Sequence, residues 1–292
     1  MTRRPPRPAP SASLLLVAGR LPTGGGPLPS ELAERRAALD ALADRYEQPA
    51  FIADDPIAVP RAFDDPADRE VIGLFAALLA WGRRSVILTK LADLAARMDH
   101  RPRAFVRAFD PARDSPRLAG FAHRTFQPAD AVALVQAVQA VLHTHGSLGA
   151  CFRAHLPPTA PHIGPALQGF SDALFAAAPG QPARLRKHLP RPSTGSACKR
   201  LAMFVRWMVR PGPVDLGLWD GVGAERLILP LDVHTGRQAR RLGLLSRAQD
   251  DWRAALELTA ACRALCPEDP ARYDFALFGV GAYGGRAPGE RA

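Results

Sequence analysis

The 292-residue chain has only four cysteines, Cys151, Cys198, Cys262 and Cys266, and no two are spaced Cys-x-x-Cys. Such usage excludes a disulfide-stapled scaffold and a zinc ribbon, and no other spacing suggests a metal or a cofactor. No apolar run reaches the roughly 18 residues that a membrane span requires. Alternating apolar and polar positions are nearly absent, and Leu227-Ile228-Leu229 is the one short strand candidate. Lysine is scarce: Lys90, Lys187 and Lys199 stand against 35 arginines. Arginine supplies charge but does not deprotonate, so an amine nucleophile must be one of those three lysines. Acidic residues are missing from the first 29 positions, which carry four arginines among seven prolines and four glycines.

That opening segment cannot build a core and reads as a mobile basic tail. Its short apolar run at 13–18 lacks a clear cleavage site, so the expected location is the cytoplasm rather than the exterior. The formal net charge of +10 suits a polyanionic partner. From Ser30 onward helix follows helix. Asp65-Pro66-Ala67-Asp68 predicts a capped start, and the helix after it is apolar on nearly every side, as a buried helix is. Leu134, Ala137, Val138 and Val141 form one face of another helix. Ser246 to Gln249 reads as a capping box ahead of a stripe at Ala255, Leu258, Cys262 and Leu265. Asp269-Pro270 restarts a helix towards Gly279, and proline–glycine clusters at 157–158, 179–180 and 211–213 mark breaks. The expected class is all-α, in two lobes.

Two segments invite chemistry. In Leu189 to Arg210 a Pro/Ser/Thr/Gly turn feeds a helix with Leu201, Phe204, Val205 and Met208 on its apolar side. Lys199, Arg206 and Arg210 fall on the opposite side at about 100° per residue. A helix start near Gly195-Ser196 offers N–H groups to a phosphate, and neighbouring positive charge with partial burial is what turns an amine into a nucleophile. The plain alternative is a solvated basic face. In Leu229 to Gly243, apolar Leu229-Pro230-Leu231 delivers Asp232 to a helix start, and Arg237, Arg240 and Arg241 share one arc. By itself Asp232 is an ordinary N-cap and His234 a solvent-facing histidine.

Together these segments resemble the helix-hairpin-helix DNA glycosylases, the endonuclease III-like base-excision enzymes. Pro230-Leu-Asp-Val-His234, Arg237 and Arg241-Leu-Gly243 are similar to the stretch that bears their catalytic aspartate, and Leu74 to Trp81 is similar to their buried helix. The resemblance implies Lys199 as nucleophile and Asp232 as its catalytic carboxylate. It implies DNA contacts from Gly195, Ser196, Arg206, His234 and Arg237, with Trp81 or Trp207 as possible base-stacking residues. The scaffold would be two-lobed over 30–292, with the cleft between lobes, no cofactor or metal, and damaged double-stranded DNA as partner at the nucleoid. Leu189-Pro190, Gly195 to Arg200, Pro230 to His234 and Tyr273 to Gly279 also resemble an uncharacterised bacterial family over residues 50–284.

The chain departs from the broader pattern in three ways. The hairpin keeps one glycine, Gly195, in place of a Gly-x-Gly pair. The 33 residues between Lys199 and Asp232 are closer to the archaeal 8-oxoguanine glycosylases than to endonuclease III. The four-cysteine iron–sulfur signature is missing. The expected activity is excision of a damaged, oxidised base with an abasic-site lyase step. Its rivals are a non-catalytic nucleic-acid-binding module, an RNA-modifying enzyme and, weakest, a peripheral membrane protein.

Overall fold

The computed structural model describes residues 30–180 and 182–284. The tail expected at 1–29 lies outside them. Thirteen α-helices fill the described residues: α1 (Ser30–Tyr46), α2 (Ala58–Arg61), α3 (Pro66–Leu78), α4 (Arg84–Arg97), α5 (Pro102–Arg107), α6 (Pro111–Leu118), α7 (Pro128–His145), α8 (Leu148–Ala154), α9 (Gly164–Ala177), α10 (Lys199–Val209), α11 (Val233–Arg241), α12 (Trp252–Leu265) and α13 (Tyr273–Tyr283). The all-α expectation holds. Among the described residues, β pairing is confined to isolated bridges. The strand candidate at 227–229 is buried, and its Leu229 N–H donates to the Thr259 hydroxyl of α12 at 3.1 Å, so a helix rather than a strand satisfies it. No described helix is long and apolar enough to cross a membrane.

The centre of the core is α3. Asp65 accepts the Ala67 N–H at 2.9 Å, Pro66 opens the helix, and every residue from Glu70 to Leu78 is buried. Glu70 is the charged member of that run. Its carboxylate accepts the Leu148 and Gly149 N–H groups at the start of α8 and the Trp219 indole N–H at 2.7 Å. A buried charge needs such partners, and a helix N-terminus is a favourable place for an anion. α10 packs on α3, α9 on α7, and α13 lies against both α1 and α11.

Two local expectations are corrected. α12 begins at Trp252 with Asp251 as its cap, accepting the Ala254 N–H at 3.0 Å, so the start lies beyond 246–249. Ser246 instead donates its N–H and hydroxyl to Glu257, both at 2.6 Å. α10 begins at Lys199, not near Gly195-Ser196. Ser196 is held in an antiparallel bridge to Asp251, and Gly195, at φ 77°, turns the chain into that bridge.

Candidate active site

The end of α3, the starts of α4, α10 and α11, and the inner face of α13 surround a cleft of about 750 Å³. Lys199 is the first residue of α10, and its backbone follows Cys198 in a left-handed conformation, φ 53°. Asp232 caps α11 by accepting the Thr235 N–H on Oδ1 at 2.9 Å. Its other oxygen, Oδ2, accepts from the Lys199 ammonium at 2.7 Å. The lysine side chain is 30% exposed and the aspartate 16%, so the pair sits on the wall, reachable but mostly desolvated. The reading of Asp232 as an N-cap and its reading as a partner of Lys199 are both correct, because one carboxylate has an oxygen for each.

Burial pushes the Asp232 carboxyl upward, but the adjacent Lys199 charge and the Thr235 N–H outweigh it and hold it below the usual carboxylate range. Cys198, one residue from the amine, is no rival nucleophile: burial pushes its thiol up to about 12.

Aromatic rings line the cleft around this pair. The Lys199 ammonium lies 5.7 Å from the Phe278 ring centroid, and the Arg84 guanidinium lies 5.3 Å from the same ring and 4.9 Å from that of Tyr283. Arg84 also donates to the Tyr283 hydroxyl at 2.8 Å. Tyr46, Phe51 and Tyr283 form one aromatic cluster. Arg200 stacks over Trp81 at 4.6 Å and donates to the carbonyls of Leu78 and Lys187. Burial without a carboxylate partner lowers its guanidinium to about 10. Trp81 is further stacked by His188 and His123, so its faces are engaged within the protein. Trp207 is fully buried.

The remaining candidates divide. Gly195 is exposed, with open space where a Cβ would stand. His234 is exposed on the cleft rim with its ring edge-on to Phe278. Val233, 61% exposed, starts an i, i+4, i+8 row on α11 with exposed Arg237 and Arg241, so positive charge runs outward from the cleft mouth. Arg240 is drawn aside into an ion pair with Asp250. Arg206 is a correction. It is 7% exposed, pairs with Asp274 through one NH group and lies 3.3 Å from Asp215 through the other. Arg210 beside it holds Asp215, Glu47 and Asp269. Periodicity placed these arginines on one face correctly but could not reveal that α13 and distant carboxylates cover it. Arg206 therefore braces the floor of the cleft and is not available to a phosphate.

Sequence reasoning gave no role to Arg84, Arg200, Tyr46, Thr235 or Asp274. The signal for the last was present, since Tyr273 to Gly279 stood out as a motif without a task. Among the described residues, no group of three or more His, Cys, Asp or Glu side chains is arranged to hold a metal ion.

A family model described as a protein of unknown function (DUF2400) matches residues 55–283. The chain belongs to the DUF2400 family. The match runs from just before α2 to the end of α13 and so includes Lys199, Asp232 and Asp274. No curated protein and no solved structure matches the chain. The family description assigns no activity, so a functional reading rests on the site.

Proposed function

We propose that the chain is a DNA base-excision enzyme that removes a damaged, oxidised base and carries an abasic-site lyase activity, on a two-lobed glycosylase-like scaffold whose degenerate hairpin is the 192–198 turn. The observation that carries this reading is the meeting of the Lys199 amine and the Asp232 carboxylate at 2.7 Å on the wall of an aromatic cleft. The cleft volume is within the range of sites that enclose a small molecule. A flipped-out nucleotide leaves its stack at a cost of about a few kcal/mol, least for a damaged base. Aromatic walls receive the extruded base, and exposed Arg237 and Arg241 meet the phosphates.

In the reaction, the Lys199 proton passes to Asp232, and the freed lone pair forms a bond to the sugar C1′. The C1′–N bond to the base breaks, and the base departs with its electron pair and takes up a proton. Opening of the sugar leaves a Schiff base, and elimination from it breaks the C–O bond to the 3′ phosphate. General base help of this kind contributes about 10²–10⁴-fold.

A second reading has support from one observation: an ion pair at 2.7 Å would also serve as a plain lock between α10 and α11. Borohydride trapping separates the two. Wild type is expected to form a covalent adduct on abasic or oxidised-purine duplexes, and Lys199→Gln none. If wild type binds DNA but traps nothing across a lesion panel, the protein is a binding module.

A further inference from the structure

Asp274 is a buried carboxylate for which the chemistry above has no task. It stands on α13 and lines the same cleft as Lys199 and Asp232. Its Oδ2 pairs with Arg206, and its Oδ1 accepts the Thr235 hydroxyl at 3.4 Å. Thr235 in turn donates its N–H to Asp232 Oδ1, while Lys199 holds Asp232 Oδ2. The order is therefore Lys199, Asp232, Thr235, Asp274, Arg206. The second carboxylate approaches Asp232 from the oxygen that Lys199 does not occupy.

We infer that Asp274 is a positioning residue that acts through Thr235 on Asp232 and favours passage of the Lys199 proton to Asp232. Like charges at close range favour protonation of one of them. A negative charge behind Asp232 makes that carboxylate the better acceptor. When Nζ gives its proton to Oδ2, the ion pair becomes a neutral amine beside a neutral acid, and the repulsion between the two carboxylates ends. Thr235 fixes the cap oxygen so that Oδ2 stays on the amine. A base oriented by a third group is the general arrangement around an activated nucleophile. The inference rests on Lys199 and Asp232 being the reactive pair.

The groups facing Asp274 are Arg206 and Lys199 from α10, Asp232 and Thr235 from α11, Asp215 from the loop after α10, and the Cys262 thiol of α12, which burial keeps neutral. Burial raises the Asp274 carboxyl to about 6, with Arg206 and Lys199 opposing and Asp232 and Asp215 assisting. Above that pH the charge is present; below it the charge is lost, and with it the drive on Asp232.

Reductive alkylation tests this without DNA. Propionaldehyde condenses with a neutral lysine amine, water leaves, and cyanoborohydride delivers hydride to the iminium. Mass spectrometry of peptides then reports labelling of Lys199 against Lys90 and Lys187 as internal references. Asp274→Asn should slow Lys199 labelling about tenfold at pH 7.5, as expected from loss of one nearby charge, and remove the acid limb near pH 6. Thr235→Val, which leaves the Asp274–Arg206 pair in place, should also slow it, and Thr235→Ser should restore the rate. If Asp274→Asn does not fold, the Thr235 variants decide. Lys199 labelling at the wild-type rate and pH profile in folded Asp274→Asn or Thr235→Val would overturn the inference. Failure of abasic-DNA trapping in wild type, with the labelling effects present, would instead sink only the base-excision reading.

Discussion

Replacing Arg206 with leucine gives the sharpest test of how the cleft floor is built. Arg206 is 7% exposed and faces two buried carboxylates, Asp274 and Asp215. The substitution keeps much of the aliphatic packing against Phe275 but leaves those acids short of a counter-charge. Removing one partner of a buried ion pair costs about 3–5 kcal/mol. At about 2–4 °C per kcal/mol for a chain of this size, Tm should fall by about 6–20 °C. The loss should also depend on pH. Asp274 is raised to about 6 in the folded protein, against an ordinary value of about 3.9. Its protonation therefore favours the folded state, and that contribution is fully present below the ordinary value and lost as pH rises through about 6. Without Arg206 nothing of equal size opposes the rise, so the deficit relative to wild type should be smaller at pH 5 than at pH 7.5. Calorimetry at the two pH values measures both effects. A solvated arginine predicts the opposite pattern: a change within about 0.5 kcal/mol and a DNA-binding salt slope lower by about one. That result would refute the buried-brace account.

Asp232→Asn should keep the α11 cap, since asparagine caps as well as aspartate, and should cost about 1 kcal/mol or less for the lost, partly screened pair with Lys199. The wild-type advantage should exist above the ordinary carboxylate pKa and vanish as pH falls through the lower folded value, while borohydride-trapped adducts disappear at any pH. Arg237→Ala and Arg241→Ala should each leave Tm nearly unchanged, within about 0.5 kcal/mol, and each lower the salt slope of DNA binding by about one. Gly279→Ala drives a methyl group into the Tyr46 ring. Overpacking of this kind costs about 1–3 kcal/mol, and thermal denaturation should show it, because Phe51 and Tyr283 leave that ring little room to retreat.

Much of the architecture was legible in the residues. Asp65-Pro66 capped α3 as read, and the all-round apolar character of that helix matched its burial. Asp232 lay at a helix start because an acid after an apolar run has few other uses there. Reading failed where a residue had equally good local alternatives. Ser246 had the pattern of a cap, yet Asp251, five residues on, took the role because its carboxylate reaches the Ala254 N–H while the Arg247 side chain anchors it. Arg206 and Arg210 were placed on the correct side of α10 but with the wrong neighbour, since amphipathic spacing gives direction and never the identity of what arrives there.

What the sequence alone determined was the inventory: helices rather than strands, a single lysine in a setting suited to chemistry, and one aspartate obliged to begin a helix. Those follow from near-neighbour physics, where spacing and capping act within a turn or two. Only the tertiary structure decided that α13 would close over α10, burying two arginines and setting Asp274 behind Asp232. Charges 68 residues apart are paired by the packing of apolar faces, and nothing in local propensity fixes which charges that packing brings together.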